Sequence, residues 1–220
     1  MSQVLGYAAT EATSPLSPFP FVRRDPRPSD VQIEILYCGV CHSDLHTARN
    51  EWKGTMYPVV PGHEILGKVL RVGQDVSLFK EGDVVCVGCM VDSCGVCENC
   101  QDHLEQYCDQ EATYTYNSRD KHDQTVTYGG YSTQIVVDQK FVLSIPKEFK
   151  EKDYPGGAPL LCAGLIGYRA LRLAEPFETV AFYGFGSSAH LLIQVATFLN
   201  KKVYVFTRPG DLKTQEFARS

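Results

Sequence analysis

Four cysteines, Cys94, Cys97, Cys100 and Cys108, stand in a C-x2-C-x2-C-x7-C run, and no other feature restricts the fold of this chain as much. Four thiolates at such short spacing match a closed tetrahedral zinc site, and binding of the metal can fold a lobe that has little apolar content of its own. The competing readings are a set of buried or disulfide-linked thiols and an iron–sulfur cluster, whose usual spacings differ. The chain carries nine cysteines, an odd number. The segment 1–10 has no basic region followed by a long apolar run, and no stretch approaches the ~18 apolar residues of a membrane span. The expected compartment is therefore the cytoplasm, where persistent disulfides are rare and clustered cysteines read as metal ligands. A site that uses all four positions leaves no room for substrate, so this metal is expected to be structural.

Charge excludes one class of partner. With 21% charged residues and a formal charge of -5, the chain lacks the basic face of a nucleic-acid binder. Arg23, Arg24 and Arg27 are the nearest approach to one, and they read as proline-interrupted surface charge.

The chain changes character near residue 155. Before it, short runs rich in β-branched and aromatic residues at 31–37, 65–72, 83–87, 131–137 and 141–145 are punctuated by Gly and Pro, as in a β-rich domain spanning 1–155. The polar stretch 109–124 reads as a surface loop. After Pro155-Gly156-Gly157 a helix is expected over 163–174, a strand over 179–183, a helix over 187–199, a strand over 202–207 and a further helix capped by Asp211. Strand, helix, strand is the pattern of a parallel βαβ unit, so 156–220 reads as a second domain and the fold class as β plus α/β.

Two further stretches carry metal chemistry. Residues 38–46, Cys-Gly-Val-Cys-His-Ser-Asp-Leu-His, place thiols, imidazoles, a hydroxyl and a carboxylate beside the first apolar strand. Alone, Cys38 and Cys41 could be a redox pair, half of a zinc site or two packed thiols. In Gly62-His63-Glu64-Ile65-Leu66-Gly67, a histidine lies beside a glycine that permits a tight turn and beside a carboxylate. If Cys41 and His63 are ligands, a catalytic zinc needs a third and an open position. Cys162, at an expected helix start that favours a thiolate, is the candidate, with a core thiol as the alternative. In Gly184-Phe185-Gly186-Ser187-Ser188-Ala189, G-x-G-x-x-A between a strand and a helix is the dinucleotide fingerprint. About 20 residues on, an NAD enzyme would carry Asp or Glu. Thr207-Arg208 stands there instead and suits a 2′-phosphate, so NADP(H) is expected over NAD(H).

Gly-His-Glu-x-Leu-Gly-x5-Gly-x2-Val, Cys41 with Asp44 and His46, the four-cysteine lobe and Cys162 together resemble the zinc-dependent medium-chain alcohol dehydrogenases. The stretch 38–100 is most similar to the cinnamyl-alcohol-dehydrogenase-like branch of NADPH-dependent aldehyde reductases. The resemblance implies a GroES-like catalytic domain followed by a Rossmann-type unit, incomplete at Ser220. It implies that Cys41, His63 and Cys162 hold a catalytic zinc, that Glu64 sits behind or transiently on it, and that Asp44 orients a ligand imidazole. Ser43 and His46 match the family's proton relay, and His42 matches a contact to the cofactor pyrophosphate with Gly184, Gly186, Ser187 and Ser188. Trp52 and Cys89 match positions that line the substrate pocket. Cys38 and Cys86 match no ligand position and read as core thiols, while His103, His122 and His190 read as non-ligands.

The implied function is reversible hydride transfer between NADP(H) and a primary alcohol or aldehyde, with a homo-oligomer or a C-terminal part completing the site. The stretch from Pro159 to Arg208 looks closer to a different zinc dehydrogenase subgroup. The competing reading is an inactive truncated relative that serves as a zinc-binding structural or interaction module. A zinc-independent quinone reductase of the same fold is opposed by the ligand set.

Overall fold

The computed structural model describes residues 1–219, with the backbone but not the side chain of Ser187. It divides into two compact units, Met1–Leu161 and Cys162–Ser220.

In the first unit, β1 (Ser2–Ala8) and β2 (Ser17–Arg23) form an antiparallel pair, with Pro18 opposite Tyr7 and Pro20 opposite Leu5. Next come β3 (Asp30–Cys38), α1 (His42–Ala48), β4 (Ile65–Val72), β5 (Val84–Val87), β6 (Met90–Asp92) and α2 (Glu98–Gln101). The unit closes with β7 (Thr113–Tyr114), β8 (Gln134–Asp138), β9 (Val142–Ser144) and α3 (Tyr154–Gly157). An antiparallel sheet in the order β8-β3-β4-β5-β9 is its centre. Val31, Ile33, Ile65, Val69, Val85, Val87, Ile135, Val137 and Val142 form the core. All nine are β-branched, the shape that packs best on a pleated surface.

Two register irregularities in β3, at Gln32/Ile33 and Ile35/Tyr37, bend the strand. Its end, Cys38, pairs with Ile65 at the start of β4, so the turn into α1 leaves the sheet beside Gly62, His63 and Glu64. The hydrogen bond from Gly39 N to Glu64 O, 2.9 Å, ties the two segments.

The expected strands are present, two of them with unchanged bounds and the others with ends moved by at most three residues, but the first strand pair, α1 and β6 had no counterpart in the sequence pattern. The expected loop at 109–124 is corrected. It contains β7, and Ala112, Thr113 and Thr115 are buried, because the Thr115 hydroxyl donates to Gly88 O at 2.5 Å and satisfies the group that burial would otherwise strand. The surface reading of the three arginines is also corrected. Arg23 donates to Gln134 O, Gly129 O and Ser132 Oγ, Arg24 pairs with Asp30, and Arg27 grips Asp120 with two nitrogens at 2.8 and 3.1 Å.

The second unit contains α4 (Ala163–Leu173), β10 (Thr179–Tyr183), α5 (Ser187–Phe198), β11 (Lys202–Phe206) and α6 (Leu212–Arg219). β10 and β11 are parallel with α5 between them, the βαβ unit that the pattern predicts. Leu171, Leu192 and Ala196 form its small core with Val180, Phe182, Val195 and Val203 around them. Gly167 lets α4 approach α5, since a Cβ there would overlap Leu192. Among the described residues no helix is long and apolar enough to cross a membrane.

Candidate metal centres and active site

The four-cysteine lobe is assembled by α2 and the turns around it. Cys97 caps α2, Cys100 lies in its last turn, and Gly95 takes a φ of +68° between Cys94 and Val96. The four sulfurs lie within 4.8 Å of one another and are unbridged by disulfides. Cys94 Sγ stands 3.9 Å from Cys100 Sγ, and Cys97 N donates to Cys94 Sγ at 3.4 Å. Backbone N–H groups of Val96 and Cys97 hold the Cys94 thiol below its ordinary pKa, because a donor stabilises the thiolate. Four converging sulfurs with N–H donors around them suit a soft or borderline metal ion and have no other evident use in a lobe so poor in apolar side chains.

A second set of donors lies where β3, α1 and β4 meet. Cys41, His63 and Glu64 bring one ligand atom each within 4.8 Å of one another. Cys41 precedes α1, and the Asp44 carboxylate accepts from its N–H at 3.0 Å. Gly62 turns with a φ of +102°, and a Cβ there would strike the Tyr131 ring and Cys38 Sγ, so only glycine allows this approach to His63. His63 is 4% exposed and its Nδ1 lies 3.0 Å from Asp44 Oδ1.

Asp44 and Glu64 are both buried, at 3% and 2% exposure, but their surroundings differ. Asp44 accepts four hydrogen bonds: Gly62 N and His63 Nδ1 at Oδ1, Cys41 N and Tyr131 Oη at Oδ2. Burial alone would raise its pKa, but His63 and the backbone donors outweigh burial and hold it below the usual carboxylate value. Glu64 is raised, by burial first and by the Asp44 charge after it, with His63 opposing. Among the described residues its Oε2 has no hydrogen-bond partner, and a Cβ on Gly39 would fall on the same carboxylate. A buried carboxylate oxygen left without a donor next to a thiol and an imidazole fits a cation that supplies the missing contact.

The other expected site residues are placed as follows. Cys162 opens the second unit as the residue that caps α4. His42 begins α1, Ser43 Oγ lies 3.6 Å from Cys41 Sγ, and His46 follows one turn later. His46 Nδ1 meets Glu51 Oε2 at 2.5 Å and its ring stands 4.9 Å from that of Trp52, which is 62% exposed. Cys89 is exposed, with its carbonyl accepting from Thr115 N at 3.0 Å. Burial pushes the Cys38 thiol up to about 12 and the Cys86 thiol up to about 11, and both pack against the two cores of the first unit, as inert thiols do.

In the second unit, Gly184 has a φ of +90° and Gly186 caps α5. Among the described residues, chain neighbours aside, nothing lies within 4 Å of where a Cβ would stand on either, which leaves the turn open to close approach by a ligand. Ser188 lies in the first turn of α5; the Ser187 side chain lies outside the described residues. Gly184 N donates to Phe206 O at 2.8 Å, so the glycine turn and Thr207-Arg208 come together at the carboxyl ends of the two strands. Thr207 Oγ1 donates to its neighbour, Arg208 O, at 3.5 Å. His190 stacks on Phe217 at 5.2 Å.

Tyr131 and Glu51 are the site neighbours that sequence reasoning missed. Tyr131 is 87 residues from Asp44, beyond the reach of any spacing rule. Glu51, five residues after His46, was open to notice as a nearby carboxylate.

Residues 27–147 match the family description "Alcohol dehydrogenase GroES-like domain". The chain is 48% identical over 207 residues to aldehyde reductase YahK of Escherichia coli, covering 93% of this chain and 58% of the relative. It is 45% identical over 220 residues to probable cinnamyl alcohol dehydrogenase 3 of rice, Oryza sativa subsp. japonica, covering 99% and 59%. A crystal structure of CAD from Helicobacter pylori complexed with NADP(H) superposes with a TM-score of 0.90 at 39% identity, covering 98% of this chain and 62% of that one. The chain thus spans about three-fifths of the length of these proteins.

Proposed function

The chain belongs to the alcohol dehydrogenase family through its GroES-like domain, and on that premise we propose that it carries the metal-binding part of a zinc-dependent, NADP(H)-linked dehydrogenase acting on primary alcohols and aldehydes. The observation that supports this most is the meeting of half-buried Cys41 with buried His63 and Glu64, with Asp44 on the back of His63 and one Glu64 oxygen left without a donor among the described residues. Cys41, His63 and Cys162 would hold the catalytic zinc, Glu64 would stand behind it, and Cys94, Cys97, Cys100 and Cys108 would hold a second, structural zinc. When bound, zinc polarises the substrate oxygen and the nicotinamide carries the hydride.

The chain's own residues supply orientation and protons. Asp44 keeps a proton on His63 Nδ1, which leaves the other ring nitrogen as the donor to a metal. Ser43, beside the Cys41 sulfur, and His46, one helical turn on, form the proton path to solvent. Glu51 steadies the His46 ring through its contact at Nδ1. Trp52 and Cys89 border the substrate.

His42 and the turn Gly184, Gly186, Ser187 and Ser188 would take the pyrophosphate, the glycines through their open backbone. Thr207 and Arg208 would take the 2′-phosphate, a permanent cation and a hydroxyl being its natural partners.

Metal analysis of the purified chain should give about two zinc ions, falling to one in His63→Ala, and NADPH should bind and be oxidised with cinnamaldehyde. Zinc at both sites with no affinity for NADPH would overturn the dehydrogenase reading in favour of a metal-stabilised structural module.

A further inference from the structure

We infer that Tyr131 is a positioning residue of the His63 metal site, acting through Asp44. The inference rests on the proposed binding of a metal ion by Cys41 and His63. Of the four donors to the Asp44 carboxylate, three come from the segments that carry the ligands, namely Cys41 N, Gly62 N and His63 Nδ1. The fourth, the Tyr131 hydroxyl at 2.9 Å, comes from the approach to β8. Of these four donors it is the one that belongs to neither the Cys41 nor the His63 segment.

Tyr131 is itself held firmly. Its N–H donates to Pro61 O at 2.9 Å, its carbonyl accepts from Tyr7 N at 2.8 Å, and Gly130 N donates to Gly62 O at 2.8 Å. Its ring lies against Gly62, where a Cβ would collide with it. A charge-assisted hydrogen bond from such a fixed donor sets the plane of the carboxylate, and with it the aim of Oδ1 at His63 Nδ1. Without the phenol, Asp44 can rotate with the segments it is meant to orient. The imidazole then loses a fixed tautomer and a fixed direction, the two properties that such outer contacts give to a metal ligand.

The test is chelator competition with zinc, and absorption spectra with Co(II), on the 220-residue chain and on Tyr131→Phe, which keeps the ring and removes the hydroxyl. The variant should bind metal at the His63 site about tenfold more weakly and shift the Co(II) bands of that site. The four-cysteine site should keep its affinity and spectrum, and so serves as the control for folding. In an Asp44→Asn background, Tyr131→Phe should have no further effect, because its partner charge is already gone. Two bound ions with unchanged affinity at the His63 site in Tyr131→Phe would overturn the inference alone, as would equal loss at both sites or full additivity with Asp44→Asn. A parent chain that binds one ion and loses nothing in His63→Ala would overturn the metal reading, and this inference with it.

Discussion

Buried carboxylates need donors, and in this chain the degree to which they find them separates structure from chemistry. Asp44 has four donors, while Glu64 lies equally deep with one oxygen unserved. Asp120 is a structural case, paired with Arg27 through two hydrogen bonds. Burial raises its pKa, but the paired Arg27 hydrogen bonds, the His122 N–H and the Arg27 and Arg24 charges bring it below 3.8. The folded state therefore binds this proton less readily than the unfolded chain, so the pair's contribution is present above the unfolded value and is lost as pH falls through the folded one. Asp120→Asn should cost about 1 kcal/mol near neutral pH and should flatten the fall in stability below about pH 4. Urea titrations across pH 2.5 to 7 would check both, and an unchanged acid limb would show that the pair contributes nothing. The sequence pointed to Cys41, His63 and Glu64 because ligand chemistry is carried by residue type and by near neighbours. It was silent on Arg27 with Asp120, 93 residues apart, since such a pair has no local pattern.

Among the elements, the strands with a buried apolar set were the most legible. Val31 and Ile33 in β3, Ile65 in β4 and Val85 and Val87 in β5 announce themselves because β-branched runs bounded by Gly and Pro have few other uses. The pair β1–β2 was not legible, since Pro18 and Pro20 argue against a strand and are tolerated only where their missing N–H is not needed. α1 was hidden for a similar reason, its seven residues being chosen for polar chemistry and not for an apolar stripe. The lobe at 94–108 depends on its thiols in a way no other element does. Cys100→Ser should remove one equivalent of metal and make this lobe the first place cut in limited proteolysis, while the fragment containing β3, β4 and β5 survives. A lobe as resistant as the parent after loss of the metal would show that it folds without one.

At the scale of the molecule, the two units differ in how much core supports them. The first is centred on a cluster of nine buried aliphatic residues on a five-stranded sheet, and the second on a cluster of three under a two-stranded one, among the described residues. Amide exchange should therefore be slowest in β3 and β4 and faster throughout β10 and β11, by a factor of at least about 100, equivalent to some 2.7 kcal/mol of local opening. Equal protection in the two sheets would contradict this. On β10 and β11, Tyr183, Tyr204 and Phe206 are exposed on one face, so the alternation marked two strands but gave no sign of how little core lies beneath them. By itself the sequence determined what is local: the donor types, the glycines that turn the chain at Gly62 and Gly184, the periodicities of strand and helix, and from these the family. Only the tertiary structure decided which groups share a carboxylate, which thiols are core and which carboxylate oxygen is left without a donor. The physical reason is range. Propensity and ligand spacing act over a few residues, whereas the four hydrogen bonds to Asp44 exist only after segments up to 87 residues apart have packed together.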